Sequence, residues 1–157
     1  MGSEVEEAAL ALIRKGMTLA LAESCTGGGL GAMMTSLPGS SVYFMGSAVV
    51  YANSAKQKVL GVKRATLDRY GAVSAETASE MAEGARVLFG SDVAVAITGI
   101  AGPAGGTEKK PVGLVYTAVS VRGRIDVREH RFEGDRECIR GKCAENALLH
   151  MRSVLVD

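Results

Sequence analysis

The chain has 157 residues, 47% of them hydrophobic and 22% charged, with a formal net charge of +1, and this ordinary globular composition predicts one domain over residues 1–157. Scattered lysines and arginines on a nearly neutral chain argue against nucleic-acid binding, and the absence of any apolar run of about 18 residues argues against a membrane span. The three cysteines form no Cys-x-x-Cys pair, which argues against a disulfide framework or a thiolate zinc site and favours a reducing, cytoplasmic location.

Helical and strand patterns alternate along the chain. In chain order, the sequence predicts a helix over residues 3–15, a strand over 17–22, a helix from Thr26 to a stop at Pro38-Gly39, a strand over 42–51, short helices over 54–60 and 64–70, a longer helix after Ser74, a strand over 92–98, two strands over 112–121 and 124–132, and a last helix from Asp135. Each expected N-cap offers a side-chain oxygen just before a helical pattern: Ser3, Thr26, Asn53 and Ser74.

This order of elements predicts an α/β fold, a three-layer α/β/α sandwich on a sheet of about five strands. The Arg122-Gly123 dipeptide is a two-residue hairpin signal. It makes one strand antiparallel, so the sheet is mixed but mostly parallel. In such sheets ligands bind at the carboxyl ends of the parallel strands. Polar and glycine-rich stretches after the predicted strands are therefore expected to share one site.

Four hydroxyl or thiol groups in these stretches are candidate nucleophiles: Ser24, Cys25, Thr26 and Ser41. Each of them needs a base. The two histidines, His130 and His150, lie near the C-terminus without a neighbouring carboxylate pattern, which disfavours a site that pairs serine or cysteine with histidine. Cys25 is most simply a small buried residue.

Lysine is the other known base for serine, and Lys56 is the candidate. In the first turn of a helix capped by Asn53, the positive end of the helix dipole disfavours a charged ammonium, as burial also does. Tyr51, five residues earlier, can relay a proton or orient Lys56. The simpler alternatives are a solvated surface lysine and a packing tyrosine.

Two glycine-rich stretches expose backbone N–H groups that suit an anion. Gly27-Gly28 follows Thr26, and several glycines follow Thr98. Neither stretch matches a dinucleotide or triphosphate motif, so a single phosphate is the more modest interpretation, and plain tight turns are the alternative. Arg136 and Arg140 share one helix face and can reach an anion, although Arg136 is more simply a surface charge.

Several motifs in one order resemble the C-terminal domain of the competence- and damage-inducible CinA proteins. These are Ala22 to Gly28, Gly39-Ser40-Ser41, Tyr51 to Lys56, Gly71 to Ser74, Thr98 to Gly106, Lys110 to Gly113 and Phe132 to Arg136. The resemblance covers nearly the whole chain. Its family includes stand-alone nicotinamide-nucleotide amidases, and this chain resembles those because it has no room for the larger N-terminal domain of full-length CinA.

The resemblance implies hydrolysis of nicotinamide mononucleotide to nicotinate mononucleotide and ammonia, without a cofactor or metal. It selects Ser41 as the catalytic serine, with Tyr51 and Lys56 as its partners. The substrate contacts it implies, together with the glycines of the same loops, are Ser24, Thr26, Gly27, Gly28, Thr98, Gly99, Gly102 and Arg140. It also implies a three-layer sandwich on a mixed sheet.

The resulting hypothesis is that Ser41 attacks the carboxamide carbon and Lys56 accepts its proton. The oxyanion would be held by backbone N–H groups near Ser24 to Gly28 or in the Ser40-Ser41 turn. The expected partners are a small-molecule nucleotide substrate and further copies of the chain in a homo-oligomer, with no nucleic acid and no membrane. The alternatives are a nucleotide-binding module without catalysis and an amidase for a different small amide, such as nicotinamide.

Overall fold

A computed structural model describes residues 2–156 of the chain. Its elements in chain order are helix α1 Gly2–Lys15, strand β1 Leu19–Glu23, helix α2 Gly29–Met34, a 3₁₀ turn Ser40–Val42, strand β2 Phe44–Val49, helices α3 Asn53–Leu60, α4 Arg64–Tyr70 and α5 Ala75–Phe89, strands β3 Val93–Gly99, β4 Leu114–Val121 and β5 Arg124–Arg131, and helix α6 Arg136–Val156. No helix in residues 2–156 combines the length and the apolar character that crossing a bilayer requires.

The five strands form one mixed sheet in the order β2-β1-β3-β4-β5. Strand β1 is parallel to both β2 and β3, whereas β4 is antiparallel to both of its neighbours. The hairpin between β4 and β5 turns at Arg122 and Gly123, whose φ angles of 51° and 90° are the left-handed conformation that such a two-residue turn requires. The predicted three-layer sandwich on a mostly parallel sheet is confirmed.

The two faces of the sheet carry side chains of different size. The face toward α1, α2 and α6 presents large residues such as Leu21, Val95 and Ile97. The face toward α3, α4 and α5 presents alanines at the intervening positions, among them Ala94 and Ala96. Because consecutive strand residues point to opposite faces, the alternating run over 93–97 supplies both surfaces. The small side chains let α5 lie close to the sheet.

Helix α3 is held against α5 by a close backbone approach at Gly84. A Cβ atom at Gly84 would lie 2.0 Å from the carbonyl oxygen of Leu60, the last residue of α3. Only glycine tolerates this contact. This contact sets how closely α3 packs against α5, and it therefore helps to position Lys56 in the first turn of α3.

The predicted helix starts are partly wrong. Ser74 does cap α5, because its hydroxyl accepts a hydrogen bond from the N–H of Thr77. Helix α3 begins at Asn53 itself and has no side-chain cap. Helix α2 begins after Gly28, also without a side-chain cap, because Thr26 donates its hydroxyl to a carboxyl group instead. Ser3 lies within α1, which begins at Gly2.

Candidate active site

A cleft of about 240 Å³ opens where β1 and β3 end, at the carboxyl edge of the sheet. Ser24, the first residue after β1, lines it together with Thr98 and Gly99 at the end of β3. The wall is completed by Lys56 from α3 and by the loop that follows β3. The site thus lies at the position that the topology predicts for a ligand.

Lys56 is 1% exposed and its amine lies at the base of this cleft. The Nζ atom lies 3.3 Å from the hydroxyl oxygen of Ser24 and donates a hydrogen bond to the backbone carbonyl of Tyr51 at 2.9 Å. Burial lowers the pKa of Lys56 from its ordinary value, and a negative charge on the nearby Cys25 sulfur opposes this effect only in part. Lys56 is therefore disposed to be a neutral amine in contact with a serine hydroxyl.

The backbone explains why these groups meet. The N–H of Ser24 donates to the carbonyl of Ile97 on β3 at 3.2 Å, which fixes Ser24 at the strand end. On the other side, the N–H of Val50 donates to the carbonyl of Glu23 at 2.8 Å and so extends the pairing of β1 with β2. The chain then turns at Tyr51 into α3, whose first turn holds Lys56.

The side chain of Glu23 fixes the loop that carries Ser24. Its fully buried carboxyl group accepts hydrogen bonds from the Thr26 hydroxyl at 2.8 Å, the N–H groups of Leu30 at 2.8 Å and Gly31 at 3.0 Å, and the Ser47 hydroxyl at 2.6 Å. All four partners are donors, which suits a carboxylate. No role for Glu23 was predicted from the sequence, although an acidic residue at the end of an apolar strand is a usable signal.

Arg140 braces the same loop from outside the cleft. Its guanidinium donates to the carbonyl oxygens of Cys25 and Thr26, both at 3.1 Å. Gly27 and Gly28 follow with φ angles of 59° and 102° and turn the chain toward α2. Thr26, Gly27, Gly28 and Arg140 do not line the cleft. In the structure their polar groups hold the loop in shape, and their contact with a substrate stays a prediction.

Thr98, Gly99 and Gly102 do line the cleft. The Thr98 hydroxyl donates to the carbonyl of Ala72 at 2.8 Å and ties the end of β3 to the segment before α5. At Gly99 a Cβ atom would lie 2.6 Å from a methyl group of Val115 on β4, so this strand end has no space for a side chain.

Arg136, for which the sequence favoured a surface charge over contact with an anion, lies at the mouth of the cleft. Its guanidinium donates to the Gly102 carbonyl at 2.7 Å and lies 3.3 Å from the hydroxyl oxygen of Tyr51. Within residues 2–156 its hydrogen-bond partners are thus neutral oxygens. The Tyr51 ring is 62% exposed and reaches Arg136 rather than Lys56. The backbone carbonyl of Tyr51, not its ring, orients the lysine.

Ser41 does not contact Lys56, and the pairing predicted from sequence is corrected here. Ser41 is exposed in the 3₁₀ turn that precedes β2. Strand β2 is parallel to β1, with Phe44 beside Leu19 and Val49 beside Glu23. Ser41 therefore lies at the amino edge of the sheet, and the length of β2, roughly 15–20 Å, separates it from the cleft.

A second polar cluster lies beneath α6, among β4, β5 and that helix. Thr117 is fully buried, with its hydroxyl 2.7 Å from Nδ1 of His150 and 2.9 Å from Nε2 of His130. Nε2 of His150 lies 2.6 Å from the carboxyl group of Asp126. The expectation that His150 has no carboxylate neighbour is therefore wrong. Burial lowers the pKa values of both histidines, so both favour the neutral form.

A larger cavity of about 450 Å³ lies beside this cluster, at the opposite edge of the sheet from the cleft. Its hydroxyl group, from Ser153, is bonded to the Arg128 guanidinium and to the carbonyl of His150. The residues that line this cavity include no hydroxyl group in contact with a lysine or histidine base. No group of three or more histidine, cysteine, aspartate or glutamate side chains within residues 2–156 is arranged to hold a metal ion.

The model of the family described as "CinA C-terminal domain" matches residues 3–155. A CinA-like protein of Geobacter metallireducens is 49% identical over 157 residues, which are 99% of this chain and 38% of that protein. A CinA-like protein of Syntrophomonas wolfei is 54% identical over 140 residues, with 89% and 34% covered. The chain thus spans about a third of the length of these curated relatives.

Solved structures match over nearly their whole length. A competence-damaged protein (CinA) superfamily protein from Klebsiella pneumoniae superposes with a TM-score of 0.96 at 35% identity, covering 99% of this chain and 97% of that one. A competence/damage inducible protein from Agrobacterium tumefaciens superposes with a TM-score of 0.91 at 41% identity, covering 98% and 96%. The fold described above is therefore that of CinA superfamily proteins.

Proposed function

The chain belongs to the CinA C-terminal domain family, and we propose that it is a nicotinamide-nucleotide amidohydrolase. The reaction converts nicotinamide mononucleotide and water to nicotinate mononucleotide and ammonia. The observation that carries this proposal is the buried Lys56 amine, which lies 3.3 Å from the Ser24 hydroxyl at the base of a cleft. A neutral amine in contact with a serine hydroxyl is a general base paired with a nucleophile.

In the proposed mechanism, Ser24 is the nucleophile. The Lys56 amine donates one hydrogen to the Tyr51 carbonyl, which directs its lone pair toward Ser24. The Ser24 oxygen attacks the carboxamide carbon while Lys56 takes the hydroxyl proton. Lys56 then gives a proton to the departing nitrogen, ammonia leaves, and an acyl-serine ester remains. Water attacks the ester with the same amine as base, which releases the carboxylate product and restores Ser24.

The loop around Ser24 is suited to stabilise the oxyanion. Glu23 holds this loop through the Thr26 hydroxyl, and Arg140 holds it through the carbonyl oxygens of Cys25 and Thr26. The backbone N–H of Cys25 is therefore our assignment for an oxyanion donor, because Cys25 lines the cleft, whereas the N–H groups of Ser24 and Gly27 already donate to backbone carbonyls. A fixed donor needs no reorganisation as charge develops. The Ser40-Ser41 turn, considered above as an alternative, lies at the other edge of the sheet.

The dimensions of the cleft agree with a nucleotide that enters ring first. About 240 Å³ is below the roughly 300–1,000 Å³ of pockets that enclose a whole drug-sized ligand. We propose that the pyridine ring and its carboxamide occupy the cleft, and that the ribose phosphate lies at the mouth. There the Arg136 guanidinium, which donates only to neutral oxygens in the described structure, can bind the phosphate.

The test of this function is ammonia release by the pure protein from nicotinamide mononucleotide. The same assay is run separately with nicotinamide for comparison. We expect turnover of the nucleotide and little turnover of nicotinamide, which lacks the phosphate. Equal turnover of both compounds would favour an amidase for small amides. Binding of the nucleotide without ammonia release would leave a nucleotide-binding module and refute the catalytic proposal.

A further inference from the structure

One wall of the cleft is a long loop between β3 and β4, residues 100–113, which has no regular secondary structure. The first part of this loop lines the cleft, through Ile100, Ala101, Gly102, Ala104 and Gly105. The short segment between α4 and α5, residues 71–74, contributes Ala72 and Val73 to the same lining. The width of the cleft therefore depends on how the loop is held relative to this segment.

Backbone hydrogen bonds shape the two ends of the loop and its far turn. At the ends, the N–H of Ile100 donates to the carbonyl of Leu114 at 3.0 Å, and the N–H of Gly113 donates to the carbonyl of Ile100 at 2.8 Å. In the turn, the N–H of Thr107 donates to the Lys110 carbonyl at 2.7 Å, and the N–H of Lys110 donates to the Thr107 hydroxyl at 3.0 Å. This turn sets the position of the Lys110 backbone within the loop.

The side chain of Lys110 joins the loop to the end of α4. Its ammonium group donates a hydrogen bond to the backbone carbonyl of Tyr70, the last residue of α4. Gly71 leaves the space for this contact, because a Cβ atom there would lie only 3.0 Å from the Nζ atom of Lys110. The ammonium group also lies at the negative end of the α4 dipole, which is a favourable place for a cation.

Lys110 is the second of two links between the loop and the segment between α4 and α5. The first is the Thr98 hydroxyl, which donates to the carbonyl of Ala72 at 2.8 Å just before the loop begins. Thr98 is buried, whereas Lys110 is half-buried at the rim. The stretch that lines the cleft, residues 100–105, lies between these two links in the chain, so the links hold it from both ends.

We propose that Lys110 is a positioning residue for substrate binding, whose ammonium group holds the loop against the segment between α4 and α5 and so sets the width of the cleft. Lys110 does not itself line the cleft, so it acts through the loop. Ser24 and Lys56 are held from outside the loop, by the backbone carbonyls of Ile97 and Tyr51.

Loss of the Lys110 contact should therefore weaken binding of nicotinamide mononucleotide and leave the chemical step nearly unchanged. This effect on turnover rests on the proposed amidase function, whereas the hold of Lys110 on the loop does not.

The first measurement is the mobility of the loop in the native protein, read from the NMR order parameters of the Ala104 and Gly105 amides. A rigid backbone has an order parameter of about 0.85, and a flexible one has a value below about 0.6. We expect the wild type to be near the first value and Lys110→Met, which has a similar length but no charge, to fall below the second. Lys110→Arg keeps a cationic donor and should remain rigid, as should the matched control Lys109→Met, which changes the exposed neighbour in the same loop.

The second measurement is steady-state ammonia release from nicotinamide mononucleotide by the same variants. Lys110→Met should raise KM by about tenfold, on the scale of one hydrogen bond to a charged group, and should change kcat by less than about twofold. Lys110→Arg should keep the wild-type KM, and so should Lys109→Met. A lysine that serves only as a surface charge would give neither the split between KM and kcat nor the rescue by arginine.

The outcomes separate this proposal from the amidase function. Equal order parameters at Ala104 and Gly105 in the wild type and Lys110→Met overturn the hold on the loop, whether both proteins are rigid or both are mobile. A fall in kcat at unchanged KM, or an equal rise in KM for Lys109→Met, overturns the role in substrate positioning. Wild-type protein that releases no ammonia refutes the amidase function instead, and the order parameters still decide whether Lys110 holds the loop.

Discussion

Within residues 2–156, two buried hydroxyl groups contact a titratable nitrogen base, and only one of these hydroxyl groups lines a cleft. In the cleft, the Lys56 amine contacts the Ser24 hydroxyl and is oriented by the Tyr51 carbonyl. Beneath α6, His150 contacts the Thr117 hydroxyl and is oriented by the Asp126 carboxyl group. By residue type, the second set resembles a catalytic triad more closely than the first.

The two arrangements differ in what remains unpaired. The Thr117 hydroxyl is bonded on both sides by histidine rings and is fully buried, so no carbonyl carbon can approach it. Ser24 instead lines a cleft of about 240 Å³. A nucleophile needs space for a reacting atom about 3 Å away as well as a base. Burial and a shifted pKa are thus common to both clusters. The space beside the hydroxyl group is what distinguishes the proposed active site from a structural network.

The largest expected effect is the loss of turnover on removal of the Ser24 hydroxyl. Ser24→Ala should lower kcat by roughly 10³-fold or more, the scale seen when a nucleophile is removed. Thr117→Val, which removes the hydroxyl of the sealed cluster at similar volume, should leave the kcat of the folded protein nearly unchanged. Ser41→Ala should also be nearly silent. The kcat values are to be measured by steady-state ammonia release at a temperature at which all three variants are folded.

The reverse pattern would break the comparison. A silent Ser24→Ala together with an inactive Ser41→Ala would restore the serine that the family resemblance selected and would require Ser41 to reach Lys56 in another conformation.

The second effect is a pH dependence that only the cleft produces. In the proposed mechanism the working form of Lys56 is the neutral amine, whose fraction rises with pH through its pKa. The rise of kcat/KM with pH should therefore have its midpoint below the ordinary lysine value of 10.5. Lys56→Arg should be nearly inactive at every usable pH, because guanidinium stays protonated. Lys56→Met, which is uncharged and of similar length, should be inactive but folded, as a thermal melt would verify. Near-normal turnover of Lys56→Arg would refute the general-base role.

A smaller effect is expected from the cation at the mouth of the cleft. If Arg136 binds the phosphate, Arg136→Ala should lower kcat/KM for nicotinamide mononucleotide by about tenfold to hundredfold, which corresponds to about 1.5–3 kcal/mol for a charge-assisted hydrogen bond. The same variant should change kcat/KM for nicotinamide riboside very little, because the riboside has no phosphate. Equal losses on both substrates would indicate that Arg136 acts on the shape of the cleft.

The smallest expected effect belongs to the sealed cluster and concerns stability. The pKa of His150 is lowered by burial, although Asp126 opposes this shift, and the pKa of His130 is lowered by burial too. Below the unfolded-state pKa of about 6.5, the unfolded chain binds protons that the folded chain does not. The free energy of unfolding should therefore be level above about pH 7 and fall as the pH drops below about 6.5.

Thr117→Val sharpens this last prediction. It leaves the buried Nδ1 of His150 without its hydroxyl partner, which should cost about 1–3 kcal/mol. Urea unfolding of wild type and variant at pH 8 and pH 5.5 measures both effects. A wild-type stability that is equal at the two pH values would show that the histidines titrate alike in both states.

The sequence was sufficient for the fold because its local signals are strong. The apolar runs of β1 and β3, the cap at Ser74 and the Arg122-Gly123 turn each have a local physical cause, and together they leave one arrangement of layers. The same reasoning correctly placed Ser24, Thr98 and Lys56 in one site, because they lie beside the carboxyl ends of parallel strands. It failed for Ser41, which precedes its strand and so belongs to the opposite edge.

The contacts that were missed join segments that are distant in the chain. Arg136 contacts Gly102 because of the path of the loop after β3. His150 contacts Asp126 because of the way the long helix α6 packs beside β5. Neither is visible in a spacing along the chain. Glu23 is different, because a lone carboxyl group in a buried strand must find donors, and that requirement could have been stated from the sequence.

The Glu23 carboxyl group also has a consequence for how the molecule opens. It joins the loop after β1, the first turn of α2 and strand β2 through four hydrogen bonds. Releasing any one segment leaves a buried acceptor short of partners, so the three segments should open together rather than one by one. In hydrogen exchange, the amides of Leu30 and Gly31 should be protected as strongly as those of the central strands, although they lie in a helix of only six residues.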